Sequence, residues 1–209
     1  MKFNNTLFAD LAEKEWRKYM TTTSMSHYGL KIQQTPLAIT KINQLLDDGE
    51  FARIVEIGAG DGGLSFLLAL HCRIKGLEFH SYDIHDKGAN IKELRLITDG
   101  FEVKDVIFNE ENVREVAAII QKPGKTLCIF DAGKHVEGNL YFKHMKVGDC
   151  CMLHDFARSE EFFKQHIEGR IWNWLECTYE QIEEEADKNG IIFSPWMEDC
   201  VWALGYKSE

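Results

Sequence analysis

A chain of 209 residues, 44% of them hydrophobic, is long enough to bury one substantial core and short for two full domains. Its formal net charge of -10 gives no general attraction to a phosphate backbone or an anionic lipid surface, which select clustered Lys and Arg, so neither a nucleic-acid nor a membrane partner is expected. Asp10, Glu13 and Glu15 stand where a signal peptide would need an apolar stretch, and the longest apolar run, 64–70, is too short for a bilayer. A cytoplasmic protein is the expectation. The six cysteines (Cys72, Cys128, Cys150, Cys151, Cys177, Cys200) show no C-x-x-C spacing and sit mostly in apolar runs, which describes reduced core residues.

In chain order, Leu7, Phe8, Leu11, Ala12 and Trp16 recur at helical spacing with charges between them, predicting an amphipathic helix over 7–20. A polar stretch, 21–35, follows. Pro36 then opens a second helix carrying Leu37, Ile39, Ile42, Leu45 and Leu46, closed by Asp47-Asp48-Gly49. Short apolar, β-branched runs at 52–57, 77–82, 101–107, 126–130 and 149–153 are each followed by a stretch that can be helical. That alternation predicts a parallel sheet covered on both faces through right-handed crossovers. Beyond Asp155 come a helix-prone 160–167, a Trp-containing segment, an acidic helix near 179–188, and a closing strand pair at 191–193 and 201–206. The expected fold is α/β: a Rossmann-like, doubly wound, mostly parallel seven-stranded sheet with a C-terminal antiparallel hairpin. Residues 1–50 are read as N-terminal helices and a substrate lid and 51–209 as the cofactor-binding part, within one compact domain.

The chemistry starts at Arg53-Ile-Val-Glu-Ile-Gly-Ala-Gly-Asp-Gly-Gly63, a buried strand running into a glycine turn that opens a helix, where a ligand can approach backbone amides closely. Gly58, Gly60, Gly62 and Gly63 are its candidate cofactor contacts. About 20 residues on, at the end of the next strand, Asp83 is placed to accept ribose hydroxyls. The glycine pattern alone does not separate a nicotinamide cofactor from S-adenosylmethionine. Glu56 inside the strand and Asp61 inside the turn put negative charge where a diphosphate would sit, which favours a sulfonium with an ammonium. None of the six tyrosines has Lys four residues on, as a short-chain dehydrogenase would require.

A second constellation follows the fourth and fifth predicted strands. Asp131-Ala-Gly-Lys-His135 ends one and His154-Asp155 the other, and neighbouring strands lie about 4.8 Å apart, so both strand ends can reach one divalent ion. Asp131, His154 and Asp155 are therefore the candidate metal ligands, at the carboxyl edge where doubly wound sheets bind ligands.

Taken in order, Tyr28-Gly-Leu-Lys-Ile-Gln-Gln-Thr-Pro36, Glu56-Ile-Gly-Ala-Gly-Asp-Gly-Gly-Leu-Ser65, Asp131 with His135, and His154-Asp155 resemble the cephalosporin hydroxylase and rhamnosyl O-methyltransferase group, and more distantly catechol O-methyltransferase. The likeness covers about residues 25–158. It implies an S-adenosylmethionine-dependent class I methyltransferase that acts on a small-molecule hydroxyl with a divalent cation, magnesium or manganese. Under it Asp131, His154 and Asp155 fall on the metal positions, Asp131 also on the cofactor side, and Lys134 where catechol-type enzymes keep a base, with His135 beside it. Gln34, from the first segment, joins the cofactor-binding set. His154 departs from the family's Asp or Glu, and imidazole suits manganese, iron or zinc better than magnesium. The acid at the end of the third strand is also missing, leaving Asn109 as the adenine-side contact. Residues 27–34 with Trp172, Trp174 and Trp196 are read as substrate lid and wall, and Trp202 as core. The competing readings are an NAD-dependent Rossmann oxidoreductase and a cofactor-binding protein without catalysis. A homo-oligomer through the N-terminal helix is a further expectation.

Overall fold

The computed structural model describes residues 25–27 and 30–208; the helix expected over 7–20, and with it the expected oligomer contact, lies outside the described residues. The polar stretch before Pro36 carries two short strands, β1 (Met25–His27) and β2 (Leu30–Ile32), paired antiparallel. Helix α1 (Pro36–Asp48) begins where the sequence places it. The Thr35 hydroxyl accepts the Ala38 amide at 3.1 Å, Pro36 sits in the first turn where its missing N–H costs nothing, and Ile39, Ile42, Leu45 and Leu46 are buried.

Strand and helix then alternate: β3 (Arg53–Ile57), α2 (Gly63–Lys75), β4 (Glu78–Asp83), α3 (Ile91–Ile97), β5 (Phe101–Val103), α4 (Glu110–Ile120), β6 (Thr126–Phe130), α5 (His135–Tyr141) and β7 (Cys150–Leu153). The two-residue strands β8 (Phe156–Ala157) and β9 (Cys177–Thr178) pair in parallel outside the main sheet. Helix α6 (Tyr179–Lys188) and the antiparallel pair β10 (Ile191–Ser194) and β11 (Ala203–Lys207) complete the order. The seven-stranded sheet runs β10-β11-β7-β6-β3-β4-β5, with β3 to β7 parallel and β11 antiparallel to β7. From β3 the chain builds outward to β5, then crosses back to lay β6 on the other side of β3. The carboxyl ends of β3 and β6 therefore flank the switch point, where a crevice opens.

Alternation along β3 divides the core. Ile54 packs on one face with Leu45, Leu68 and Trp202, beneath α1 to α3, while Val55 packs on the other with Val116, Tyr141 and Ile182, beneath α4 to α6. Burying each such aliphatic side chain contributes roughly 1.5–3 kcal/mol. All six cysteines are free and buried, as expected. Among the described residues, no helix is long and apolar enough to cross a membrane.

Three predicted elements differ. The third strand stops at Val103 rather than 107, because the Asp105 carboxylate takes the amides of Ile107 and Phe108 at 3.0 and 2.9 Å and turns the chain out of the ladder. Of the helix expected over 160–167, Glu160–Phe162 is α-helical and Phe163–Ile167 winds as a π turn. The last strand starts at Ala203, since Val201 has φ +61° and ends the preceding turn.

Candidate functional site

A cavity of about 490 Å³ opens at the switch point, within the usual size range of a small-molecule site. The glycine turn forms one part of its wall. Gly58 has φ +97°, and a Cβ there would meet the Asp131 carbonyl carbon at 2.4 Å and the Ala132 nitrogen at 2.5 Å, so the backbones after β3 and β6 touch only because this residue has no side chain. Gly60, Asp61, Gly62 and Gly63 line the same cavity at the start of α2, whose free amides and dipole favour an anionic group there.

Strand β2 and the residues after it are tied to this turn. Lys31 Nζ lies 2.7 Å from Asp61 Oδ2, which also accepts Gln33 Nε2 at 3.1 Å, and the Asn90 side chain bridges the Lys31 and Asp61 carbonyls at 2.9 and 3.0 Å. Asp61 thus arrives neutralised by Lys31, and its charge does not by itself disfavour a diphosphate, contrary to the expectation from sequence. Gln34 lines the cavity with its Oε1 accepting the Trp202 indole N–H at 2.8 Å. That bond fixes the segment after β2 to the core residue Trp202.

Opposite charges meet at the ends of β6 and β7. Lys134 Nζ lies 2.7 Å from Glu176 Oε2, 3.2 Å from Asp155 Oδ2 and 3.5 Å from Asp131 Oδ1. Burial alone would lower the lysine pKa, but Asp131, Glu176 and Asp155 outweigh it and raise the value above the ordinary one. His154 Nδ1 lies 2.9 Å from Asp131 Oδ1, and its ring packs on Trp202 at 4.5 Å and edge-on to Trp172 at 5.3 Å. Here too burial lowers the pKa and Asp131 more than restores it. Lys134 and Asp155 both have positive φ, +45° and +51°, rare for residues with side chains and concentrated at functional sites.

The three expected metal ligands do converge: their ligating atoms lie within 4.8 Å of one another. As arranged, however, they do not fit a resident divalent ion. Asp155 Oδ1 accepts the Trp172 indole N–H and Oδ2 faces Lys134, while Asp131 Oδ1 is shared by His154 and Lys134. The cation position is held by the chain's own ammonium.

Glu56, Asp83, Asn109, His135 and Trp196 lie away from the cavity wall. Glu56 is fully buried inside the sheet, accepting the Ser81 hydroxyl at 2.5 Å; burial pushes its pKa up to about 7, against the pull of the Ser65 and Ser81 hydroxyls beside it. Asp83 stands at the end of β4 with its carboxylate accepting the amides of Gly60 and His85, both at 2.9 Å, so it braces the turn. Asn109 caps α4 through the Glu111 and Asn112 amides, which accounts for it without a ligand. His135 faces the Glu176 carbonyl at 3.4 Å. Trp172 and Trp174 line the cavity, whereas Trp196 packs on α1 with Lys41 over its ring at 5.5 Å; Trp202 is core, as expected. Glu176, which the sequence did not single out, completes the wall.

No protein-family model matches the chain, and none of the curated proteins matches it in sequence. Solved structures do. A protein described as a caffeoyl-CoA O-methyltransferase from Staphylococcus aureus aligns with TM-score 0.57 and 13% identity over 99% of this chain and 93% of that one. The N-methyltransferase NodS from Bradyrhizobium japonicum WM9 aligns with TM-score 0.51 and 12% identity over 83% and 96%. The methyltransferase domain of bacterial CtHen1-CN gives 0.51 and 11% over 82% and 97%. The fold is that of class I methyltransferases, mostly parallel with its antiparallel pair at one end.

Proposed function

We propose that this chain is an S-adenosylmethionine-dependent O-methyltransferase acting on a small-molecule hydroxyl. The observation that carries the reading is the Lys134 ammonium, held among three carboxylates in the wall of the cavity that the glycine turn also lines. The fold supports the cofactor class, and the site supports the acceptor class. A cation at that point stabilises an acceptor that develops negative charge, an alkoxide or phenolate, over an amine that is itself cationic near neutral pH.

The residues fit the cofactor. The open turn from Gly58 to Gly63 and the N-terminus of α2 would offer amides to its carboxylate, and Gln34 and Asp131, which line the same cavity, would hold its ammonium; Asp83 would act through the turn, which it braces from the Gly60 amide. When bound, S-adenosylmethionine supplies a methyl group on a sulfonium, an electrophile that needs only an aligned nucleophile. Lys134 then donates to the acceptor oxygen, lowers its pKa and stabilises the negative charge as the proton leaves. Because its carboxylate neighbours keep it protonated, Lys134 is not the base. Glu176, whose side chain is 50% exposed, takes the proton and passes it to water. His154 acts through Asp131, holding that carboxylate in place. Trp172 and Trp174 give the acceptor an apolar wall.

Calorimetric titration with S-adenosylhomocysteine and with NAD tests the reading. Binding of the first and not the second is expected; binding of NAD alone would move the chain to the oxidoreductases. Once an acceptor is in hand, Lys134→Met is expected to lower kcat by about 10²–10³-fold, the usual cost of removing one oxyanion donor.

A further inference from the structure

We propose that Lys134 is the resident cation of the carboxylate cluster and excludes a divalent ion from it. The methyl transfer proposed above, on which the catalytic half of this inference rests, then runs without a metal. An ion bridging Asp131 and Asp155 would take oxygen ligands at about 2.0–2.2 Å and lie between the two side chains. Lys134 Nζ already lies there, 3.5 Å from Asp131 Oδ1 and 3.2 Å from Asp155 Oδ2, so ion and ammonium compete for one point.

The lysine is not free to withdraw. Its side chain is 8% exposed and held by Glu176 at 2.7 Å. Its backbone is anchored too: the Lys134 carbonyl accepts the Gly138 amide at 2.9 Å, and the Gly133 amide donates to Glu137 Oε1 at 3.0 Å. His154 faces both carboxylates with Nδ1, 2.9 Å from Asp131 Oδ1 and 3.6 Å from Asp155 Oδ1, while its Nε2 is buried with no partner among the described residues. Turning the ring toward an ion would break the Asp131 bond and the packing on Trp202.

Manganese binding, followed by the electron paramagnetic resonance of free Mn²⁺ and by calorimetry, decides the matter without an acceptor. The wild-type protein is expected to bind Mn²⁺ no tighter than about 1 mM, Lys134→Met to bind it at least about tenfold tighter, and Lys134→Arg, which keeps the charge, to show no such gain. Micromolar binding by the wild type would overturn the proposal, as would a folded Lys134→Met protein with unchanged Mn²⁺ affinity. If that variant does not fold, the wild-type titration alone decides. Titrating the same wild-type sample with S-adenosylhomocysteine keeps the two ideas apart: no binding there ends the methyltransferase reading, while cation exclusion still stands or falls on Mn²⁺.

Discussion

Gly58→Ala is expected to abolish S-adenosylhomocysteine binding and to destabilise the fold by about 3 kcal/mol or more, near the upper end for a single substitution. Three strand ends converge on this residue. Its amide donates to the Tyr82 carbonyl at the end of β4 at 2.8 Å, and the next backbone contact, Asp131 N to Ile57 O, is also 2.8 Å. A methyl group on Gly58 would meet the Asp131 carbonyl carbon, the Ala132 nitrogen and the Asp131 oxygen at 2.4, 2.5 and 2.6 Å. All three are backbone atoms, so no side chain can swing aside. Relief requires β3 and β6 to part at their carboxyl ends, which opens the crevice and displaces Asp131. Gly60→Ala is the control. Its φ of +53° makes an alanine strained, yet nothing lies within 4 Å of the added carbon, so only a conformational cost of about 1–2 kcal/mol is expected. Urea unfolding of the two variants makes the comparison, and equal losses would mean that the close approach at Gly58 is not what matters.

What the sequence discloses and what it hides follow from chain separation. The run Arg53–Ile57 and the glycines after it are contiguous, so strand, turn and helix are read together, as are the helix start at Pro36 and the closing hairpin. Lys134 and Asp131 are also neighbours, three residues apart. Asp155 and Glu176 reach the same ammonium only after β7 has paired with β6 and the two-residue strands β8 and β9 have met. Strands that short leave no periodic signature, which is why Glu176 escaped notice and why Lys134 reads as a base from sequence and as a fixed cation in the structure. Glu56 and Asp83 mark a related limit. Sequence identifies an acid at a strand end, but whether its oxygens face a ligand or a neighbouring amide is settled by tertiary packing, here the Ser81 hydroxyl and the Gly60 amide. Trp196 misled because a Pro-Trp pair reads as an exposed loop, whereas its turn lies against α1.

Stability is expected to fall as pH rises from about 4.5 to about 8, with Glu137 the largest single cause. This residue is buried in the first turn of α5, with Oε1 accepting the Gly133 amide at 3.0 Å and Oε2 lacking a partner among the described residues. Burial pushes its pKa up to about 8; the Gly133 amide and Lys134 pull down, and Asp131 adds to the rise. The folded protein therefore keeps a proton that the unfolded chain, with an ordinary carboxylate near 4.5, releases earlier. The stabilisation is complete below about 4.5 and is lost as pH climbs through the folded value, at up to about 1.4 kcal/mol per pH unit. Glu56, pushed up to about 7, adds a loss of the same sign. Glu137→Gln keeps an acceptor for the Gly133 amide and removes the titration. Relative to wild type, the variant is expected to gain stability steadily between pH 5 and 8, on the order of 3–5 kcal/mol by the upper end. Because every other group is common to both proteins, the difference between their urea-unfolding curves isolates this carboxyl. A difference that stays constant over that range would mean that Glu137 is ionised throughout, and that the turn carrying Lys134 is held by a charged carboxylate rather than by a protonated one.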